Sequence, residues 1–424
     1  MTAISVASAF AEFDKTVLRN RYIPHRPTVK QAEFLAATEE PELLYGGAAG
    51  GGKSDAMIMA ALQYVHIPNY RALLLRRTFA DLALPGAIMD RTKQWLAHTD
   101  ARWVAQDKCF IFPSGAILTF GYLDSEADKY RYQSAEFQFV GFDELTQFSE
   151  TQYSYMFSRL RRLANTNIPS RMRAATNPGG KGHAWVYRRF INPKTATAPF
   201  ISAKLQDNPH IDQAEYEAML GHLDISTRAQ LRDGIWRVDN PGAVWTWASI
   251  DENRVLKAPK DLAVVVVAID PSTTPDGDEA GVIAAAKGID NHTYILRDAS
   301  IQGTPTDWAK RAVHTFNNLQ ADRIVAERNN GGEMVRLTVR TVCKKAPVKL
   351  VWASRGKVTR AEPVASLYEQ GQVHHVGDFE DLESEMTQWT QGDPESPNRL
   401  DALVWAVTDL HKKGQPKPIE TFRR

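Results

Sequence analysis

Residues 42–59 read ELLYGGAAGGGKSDAMIM, and this stretch decides how the rest of the chain is understood. Glu42 to Tyr45 reads as the end of a buried strand. Gly46 to Gly52 is too rich in glycine for helix or strand, and from Asp55 to Tyr64 the apolar spacing is that of a helix. Strand, glycine loop, Lys53-Ser54 and helix make a P-loop. Gly47, Gly52, Lys53 and Ser54 stand at the required spacing, with Gly50 and Gly51 inside the loop. Glycines let successive N–H groups turn toward one anion, and the helix that follows adds its positive end. Lys53 is placed to reach the β- and γ-phosphates, and the Ser54 hydroxyl to ligate Mg²⁺. The expected cofactor is therefore a nucleoside triphosphate, ATP, with Mg²⁺.

Outward from that loop, the composition sets limits. The 424 residues are 43% hydrophobic with a net charge of +1, so two or three cored domains fit and any nucleic-acid contact must come from local patches. Cys109 and Cys343 lack metal-ligand spacing and suit a reducing compartment. Glu12 and Asp14 interrupt the N-terminal apolar stretch, a poor pattern for a signal peptide. The longest apolar run, Leu262 to Ile269, is too short to cross a membrane and reads as a strand.

Upstream of the P-loop, residues 1 to 20 read as an amphipathic helix. The proline turn in RYIPHRPTVKQAEFL then delivers Gln31 to a helix start. Its amide could pair with both edges of adenine, or be an ordinary helix glutamine. Downstream, strand Arg71 to Arg77 ends in paired arginines. A helix from Leu82 to His98 and a hairpin turning at Pro113-Ser114-Gly115 follow. Arg131 lies in the polar stretch KYRYQSAEF. The apolar strand FQFVGF then ends in Asp143-Glu144, where Asp143 would hold Mg²⁺ through water and Glu144 would polarise the attacking water. Gln152 to Leu163 reads as helix. Strand RMRAAT ends in Thr176-Asn177, placed to sense the γ-phosphate and couple hydrolysis to motion.

The pattern predicts a core over 1–206, a small helical segment over 207–240, a linker over 241–256 opened by Asn240-Pro241-Gly242, and a second unit over 257–424. That unit reads as three strands in meander and then alternating helix and strand, an α/β fold with a mixed sheet. Asp270 ends its first strand, Glu327 ends its fourth, and Asp401 opens its last long helix. Three carboxylates meeting at one sheet edge repel one another and call for divalent metal, Mg²⁺ or Mn²⁺. Two such ions would activate a water and stabilise the leaving 3′-oxygen of a phosphodiester. Asp278 is a weaker fourth candidate. Lys357 and Arg360, in SRGKVTR, suit a DNA phosphate backbone or a solvated basic loop. His374 and His375 read as packing or surface residues.

An ATPase followed by an acidic metal nuclease resembles the large terminase subunit of tailed bacteriophages. The likeness is carried by GGAAGGGKS, FVGFDEL, RAATNPGG, GHLDISTRAQLRDGIW, VVVVAIDPS, IVAERNN and NRLDALVWA. It implies an additional-strand, RecA-like P-loop ATPase, a lid over about 207–240, and an RNase H-like nuclease. By position, Lys53, Ser54, Asp143, Glu144, Thr176 and Asn177 match the ATPase motifs. Asp270, Glu327 and Asp401 match the nuclease acids, with glutamate at 327 where many relatives have aspartate. Arg131 is similar in placement to the arginine a neighbouring subunit inserts in a ring motor, with Arg76 and Arg77 competing for that role. The implied function is packaging of double-stranded DNA into a preformed capsid and cutting of the concatemer. The implied partners are the portal protein, a small terminase subunit and further copies in a ring, a pentamer. The setting is the host cytoplasm, with no membrane. The alternative is a cellular helicase-nuclease or DNA-repair ATPase, against which stands the lack of a second RecA-like motif set.

Overall fold

The computed structural model describes residues 10–223, 225–271, 279–328, 332–352, 357–390, 393 and 397–411. The chain divides into two compact units, Met1–Trp236 and Arg237–Arg424.

In the first unit eight strands form one sheet: β1 (Glu42–Gly47), β2 (Arg71–Arg76), β3 (Arg102–Val104), β4 (Cys109–Ile111), β5 (Ile117–Tyr122), β6 (Phe139–Asp143), β7 (Arg171–Thr176) and β8 (Phe200–Ala203). Their spatial order is β3-β4-β5-β2-β6-β7-β1-β8. All neighbours are parallel except on either side of β4. Strand β7 lies between the P-loop strand β1 and the acid-bearing strand β6, which is the inserted strand of an additional-strand ATPase. Register sets Gly46 beside Thr176 and Asp143 beside Ala175. The carboxyl ends of β1, β7 and β6 therefore open on one crevice, where open α/β sheets bind ligands. The central strands are buried on both faces, which is why they read as continuous apolar runs. The P-loop helix, Lys53–Leu62, is buried from Ala56 to Leu62.

Several local expectations change. The helix expected over Leu82 to His98 is two helices, Phe79–Ala83 and Ile88–Leu96. Pro85 and Gly86, the latter at φ 74°, break it. The helix expected over Gln152 to Leu163 spans Glu150–Phe157. Beyond it Leu160 bridges to Phe137, so the backbone groups there serve the sheet margin. Strands β3 and β8 are too short to show alternation, and the sequence gives no sign of them.

The second unit holds β9 (Leu262–Asp270), β10 (Gly281–Gly288), β11 (Thr293–Asp298), β12 (Arg323–Glu327), β13 (Val348–Val351) and β14 (Val373–His375). The order is β13-β12-β9-β10-β11-β14, with β10 antiparallel to both neighbours and the other pairs parallel. Helix Asn398–His411 packs across β9 and β10. Its first turn lies directly on Gly281, where any Cβ would meet the Asn398 carbonyl oxygen at 1.9 Å. The stretch expected as a linker, 241–256, carries helix Trp247–Asp251 and buries Trp245 and Ile250 in this unit's core. His375 is fully buried. Its Nδ1 lies 2.8 Å from Glu383 and its Nε2 2.7 Å from the Tyr368 hydroxyl, so it is a packing residue.

Candidate active sites

The P-loop curls because Gly47, Gly50 and Gly52 take positive φ. At two of these any side chain would also collide: a Cβ on Gly47 would lie 2.4 Å from the Ala203 carbonyl oxygen, and one on Gly52 would lie 2.6 Å from Gln31 Nε2. The crevice is lined by residues 49–55 together with Arg76, Arg91, Asp143, Glu144, Thr176, Asn177 and Asn208 among others. The expected phosphate-binding and acidic residues thus share one cavity. Gln31 and Arg131 do not line it. Gln31 is buried, its Nε2 donating to the Gly52 carbonyl at 2.8 Å and its Oε1 accepting from the Thr28 N–H at 2.9 Å. The amide expected on adenine here braces a helix cap against the loop. Arg131 pairs with Asp128 at 3.0 Å and lies 4.6 Å over the Tyr122 ring.

Of the two arginines that line the crevice, Arg76, at the end of β2, is the one that meets the acids. Its Nε is 2.9 Å from Asp143 Oδ2 and its Nη2 2.7 Å from Glu144 Oε1. Glu144 sits at φ 59°, a left-handed conformation that costs a non-glycine residue about 1 kcal/mol or more. Burial raises its pKa, against the pull of Arg76. A carboxylate held in strain with a raised proton affinity fits a base that accepts a proton from water. Ser54 Oγ stands 3.3 Å from Asp143 Oδ1, the hydroxyl and carboxylate that a hydrated Mg²⁺ requires. Asn177 Oδ1 is buried with no hydrogen-bond partner among the described residues. Its neighbour Thr176 shares a hydrogen bond of 2.8 Å with the Thr146 hydroxyl, which links the end of β7 to the segment just past Glu144. These donors fit nucleotide and Mg²⁺.

Residues 207–236, most of the expected helical segment, lie against the loop within the same unit. Asn208 Nδ2 donates to the Gly50 carbonyl at 2.6 Å, and the Ala49 N–H donates to the Leu231 carbonyl at 2.6 Å. Arg91 and Asn208 escape a reading of the sequence, because neither carries a local signal and both reach the loop by tertiary contact.

Lys53 Nζ donates to the Ala48 carbonyl. Burial pulls its pKa down to about 8 although Asp143 and Glu144 favour the charge. Triphosphate would restore the ordinary range, so ATP binding should take up about half a proton at pH 8, and affinity should weaken above that pH. Titration calorimetry in buffers of different ionisation enthalpy measures the uptake. Binding with no uptake at pH 8 would mean Lys53 is already fully charged.

In the second unit, Asp270 ends β9 and Glu327 ends β12. The parallel register sets Ala326 beside Ile269, so the two acids follow as neighbours. Asp401 lies one turn into the helix seated on Gly281, and Gly281 pairs with Asp270. Topology therefore gathers the three acids at one sheet end. They do not yet close on a metal: among the described residues no three His, Cys, Asp or Glu form a group that could hold one. Glu327 Oε2 instead accepts from Arg360 Nη1 at 3.0 Å and from the Trp405 indole N–H at 3.2 Å. Arg360, expected on DNA phosphate, is thus paired and largely buried. Lys357 opens helix Lys357–Glu369, and Asp278 lies outside the described residues. The donor chemistry, three carboxylates on adjoining elements, fits divalent metal if Glu327 turns from Arg360. Just past Glu327, Arg328 lies 4.7 Å over the exposed Trp352 ring, a pair that no sequence motif marks.

Two family models match the chain: "Terminase large subunit, T4likevirus-type, N-terminal" over residues 44–250 and "Terminase RNaseH-like domain" over residues 267–410. No curated protein matches it. Among solved structures it is similar to the HK97 bacteriophage large terminase, with 10% identity over 96% of this chain and 100% of that chain and a TM-score of 0.49. It is similar to the nuclease domain of the large terminase subunit of bacterial virus Sf6 at 15% identity over 41% and 100%, with a TM-score of 0.32. It also resembles the large terminase nuclease from thermophilic phage G20c with bound magnesium, at 14% identity over 39% and 97% and a TM-score of 0.31. With one family match on the P-loop unit and the other on the mixed-sheet unit, the chain belongs to the terminase large subunits, DNA-packaging proteins that join an ATPase to an RNase H-like nuclease.

Proposed function

We propose that the first unit hydrolyses ATP to drive double-stranded DNA through a portal into a capsid, and that the second cuts the concatemer at Asp270, Glu327 and Asp401. The observation that carries the ATPase reading is the shared crevice of Lys53, Ser54, Asp143, Glu144 and Arg76. Lys53 and the P-loop N–H groups would hold the phosphates, and Ser54 and Asp143 the Mg²⁺. Glu144 would take the proton of the attacking water. Bound Mg²⁺ would supply charge neutralisation across the β- and γ-oxygens. Arg76 spans Asp143 and Glu144, so it must loosen as the nucleotide settles, and its release would leave Glu144 free to turn to water.

Thr176 and Asn177 would pass the state of the γ-phosphate to the rest of the unit. At the nuclease acids, two metal ions would supply an activated water and a stabilised leaving oxygen, with the acids as ligands. The working assembly in this reading is a ring of five subunits on the portal, loaded by a small subunit in the host cytoplasm. No helix among the described residues is long and apolar enough to cross a membrane.

The test adds the purified protein to portal-bearing empty capsids and linear DNA. The expected result is protection of DNA from added nuclease, with ATP consumed in proportion to the length protected. ATP turnover indifferent to capsids, with no protected DNA, would overturn the packaging reading.

A further inference from the structure

We propose that Arg360 is a positioning residue that holds Glu327 away from metal until a DNA phosphate takes its place, so that DNA and metal bind the nuclease site cooperatively. This rests on the reading of Asp270, Glu327 and Asp401 as metal ligands. Arg360 Nη1 is 3.0 Å from Glu327 Oε2, and the two side chains are only 12% and 13% exposed. The Trp405 indole donates to the same oxygen, and the guanidinium lies 4.5 Å over its ring. The arginine is therefore fixed on three sides by Glu327, Trp405 and its own helix. A carboxylate held by a guanidinium in a partly dry site is a poor ligand, and a divalent ion arriving there would be repelled by the fixed positive charge.

The pairing is incomplete in one respect. Arg360 Nε is buried and has no hydrogen-bond partner among the described residues. A guanidinium that bonds one carboxylate oxygen through a single Nη and leaves Nε bare has a poorer partner than a phosphate offering two oxygens in its plane. DNA brought to the acids presents that phosphate. Arg360 would then satisfy Nε and Nη on the backbone, Glu327 would be released toward the metal, and the positive charge would be neutralised. Reciprocity requires metal to favour DNA by the same factor. A free nuclease would thereby stay short of metal, and so silent, when no DNA lies in the site.

The test is Mn²⁺ titration calorimetry on the full-length, nucleotide-free protein, with Asp270→Asn identifying the heat that belongs to the nuclease acids. Arg360→Gln keeps a hydrogen-bond donor for Glu327 but removes the charge, and Arg360→Ala repeats the test. The expected result is Mn²⁺ binding about tenfold tighter in both variants. A short DNA duplex should tighten Mn²⁺ binding in the wild type and no longer do so in Arg360→Gln. A merely structural Arg360 would weaken metal binding when replaced, or leave it unchanged. Either result, with melting temperatures preserved, overturns the proposal while the metal-site reading stands. If no variant shows heat that depends on Asp270, the metal-site reading fails and the proposal fails with it.

Discussion

Glu144→Gln is expected to lower ATP turnover by about 10² to 10⁴-fold while leaving ATP affinity within a few-fold of wild type. The amide is nearly isosteric and can still accept from Arg76 Nη2, which stands 2.7 Å from the carboxylate. What it cannot do is take a proton. Glu144 also sits apart from the phosphate-gripping elements: Lys53 and the loop N–H groups come from β1 and its helix, whereas Glu144 follows β6. Binding and chemistry are thus carried by different strands, and the substitution should separate them. Single-turnover kinetics with labelled ATP, alongside equilibrium binding, measures both. Turnover that survives unchanged would take Glu144 out of the proton transfer. Loss of binding together with turnover would show that the side chain chiefly holds the crevice in shape.

Asp270→Asn should reduce DNA cutting to below about one-hundredth of wild type, since losing even a supporting partner of a metal ligand commonly costs 10- to 100-fold. ATP turnover should not change. Asp270 is 4% exposed and lies between Glu327, its neighbour on β12, and the helix that carries Asp401. The asparagine fits the same space, and a melting curve close to wild type would show that the loss of cutting is not a loss of fold. Plasmid cutting with Mg²⁺ or Mn²⁺, beside a melting curve, is the measurement. Cutting that persists in a preparation free of other nucleases would move the centre elsewhere in the chain.

How much is legible in the sequence varies with how local the physics is. The P-loop can be read because its constraint lies in consecutive residues: a backbone with three positive-φ glycines admits few sequences. Asp143-Glu144 is legible for a similar reason, an apolar run of strand length cut off by two acids. Leu82 to His98 reads as one helix because its apolar spacing continues across Pro85-Gly86, and there periodicity misleads where the breaker decides. The part played by Gln31 cannot be read at all. Its side chain caps its own helix and reaches Gly52, 21 residues on, and no local pattern distinguishes that from an amide open to a base. Arg360 stands in a basic stretch that suits phosphate. The carboxylate it meets lies 33 residues away on β12.

The sequence by itself determined the glycine loop that marks triphosphate binding, the acids that end apolar strands, and the order in which the two α/β units follow each other. Those properties depend on short-range rules: which residues allow a left-handed turn, which runs bury as strands, where charge can end them. Only the tertiary structure decided that Arg76 and Arg91 line the ATP crevice, that β7 lies between the P-loop and acid strands, and that Glu327 is held by Arg360 and Trp405. These are contacts between residues far apart in the chain. Each is chosen by strand order and by the need of a buried charge for a partner, and neither is written in any single stretch of residues.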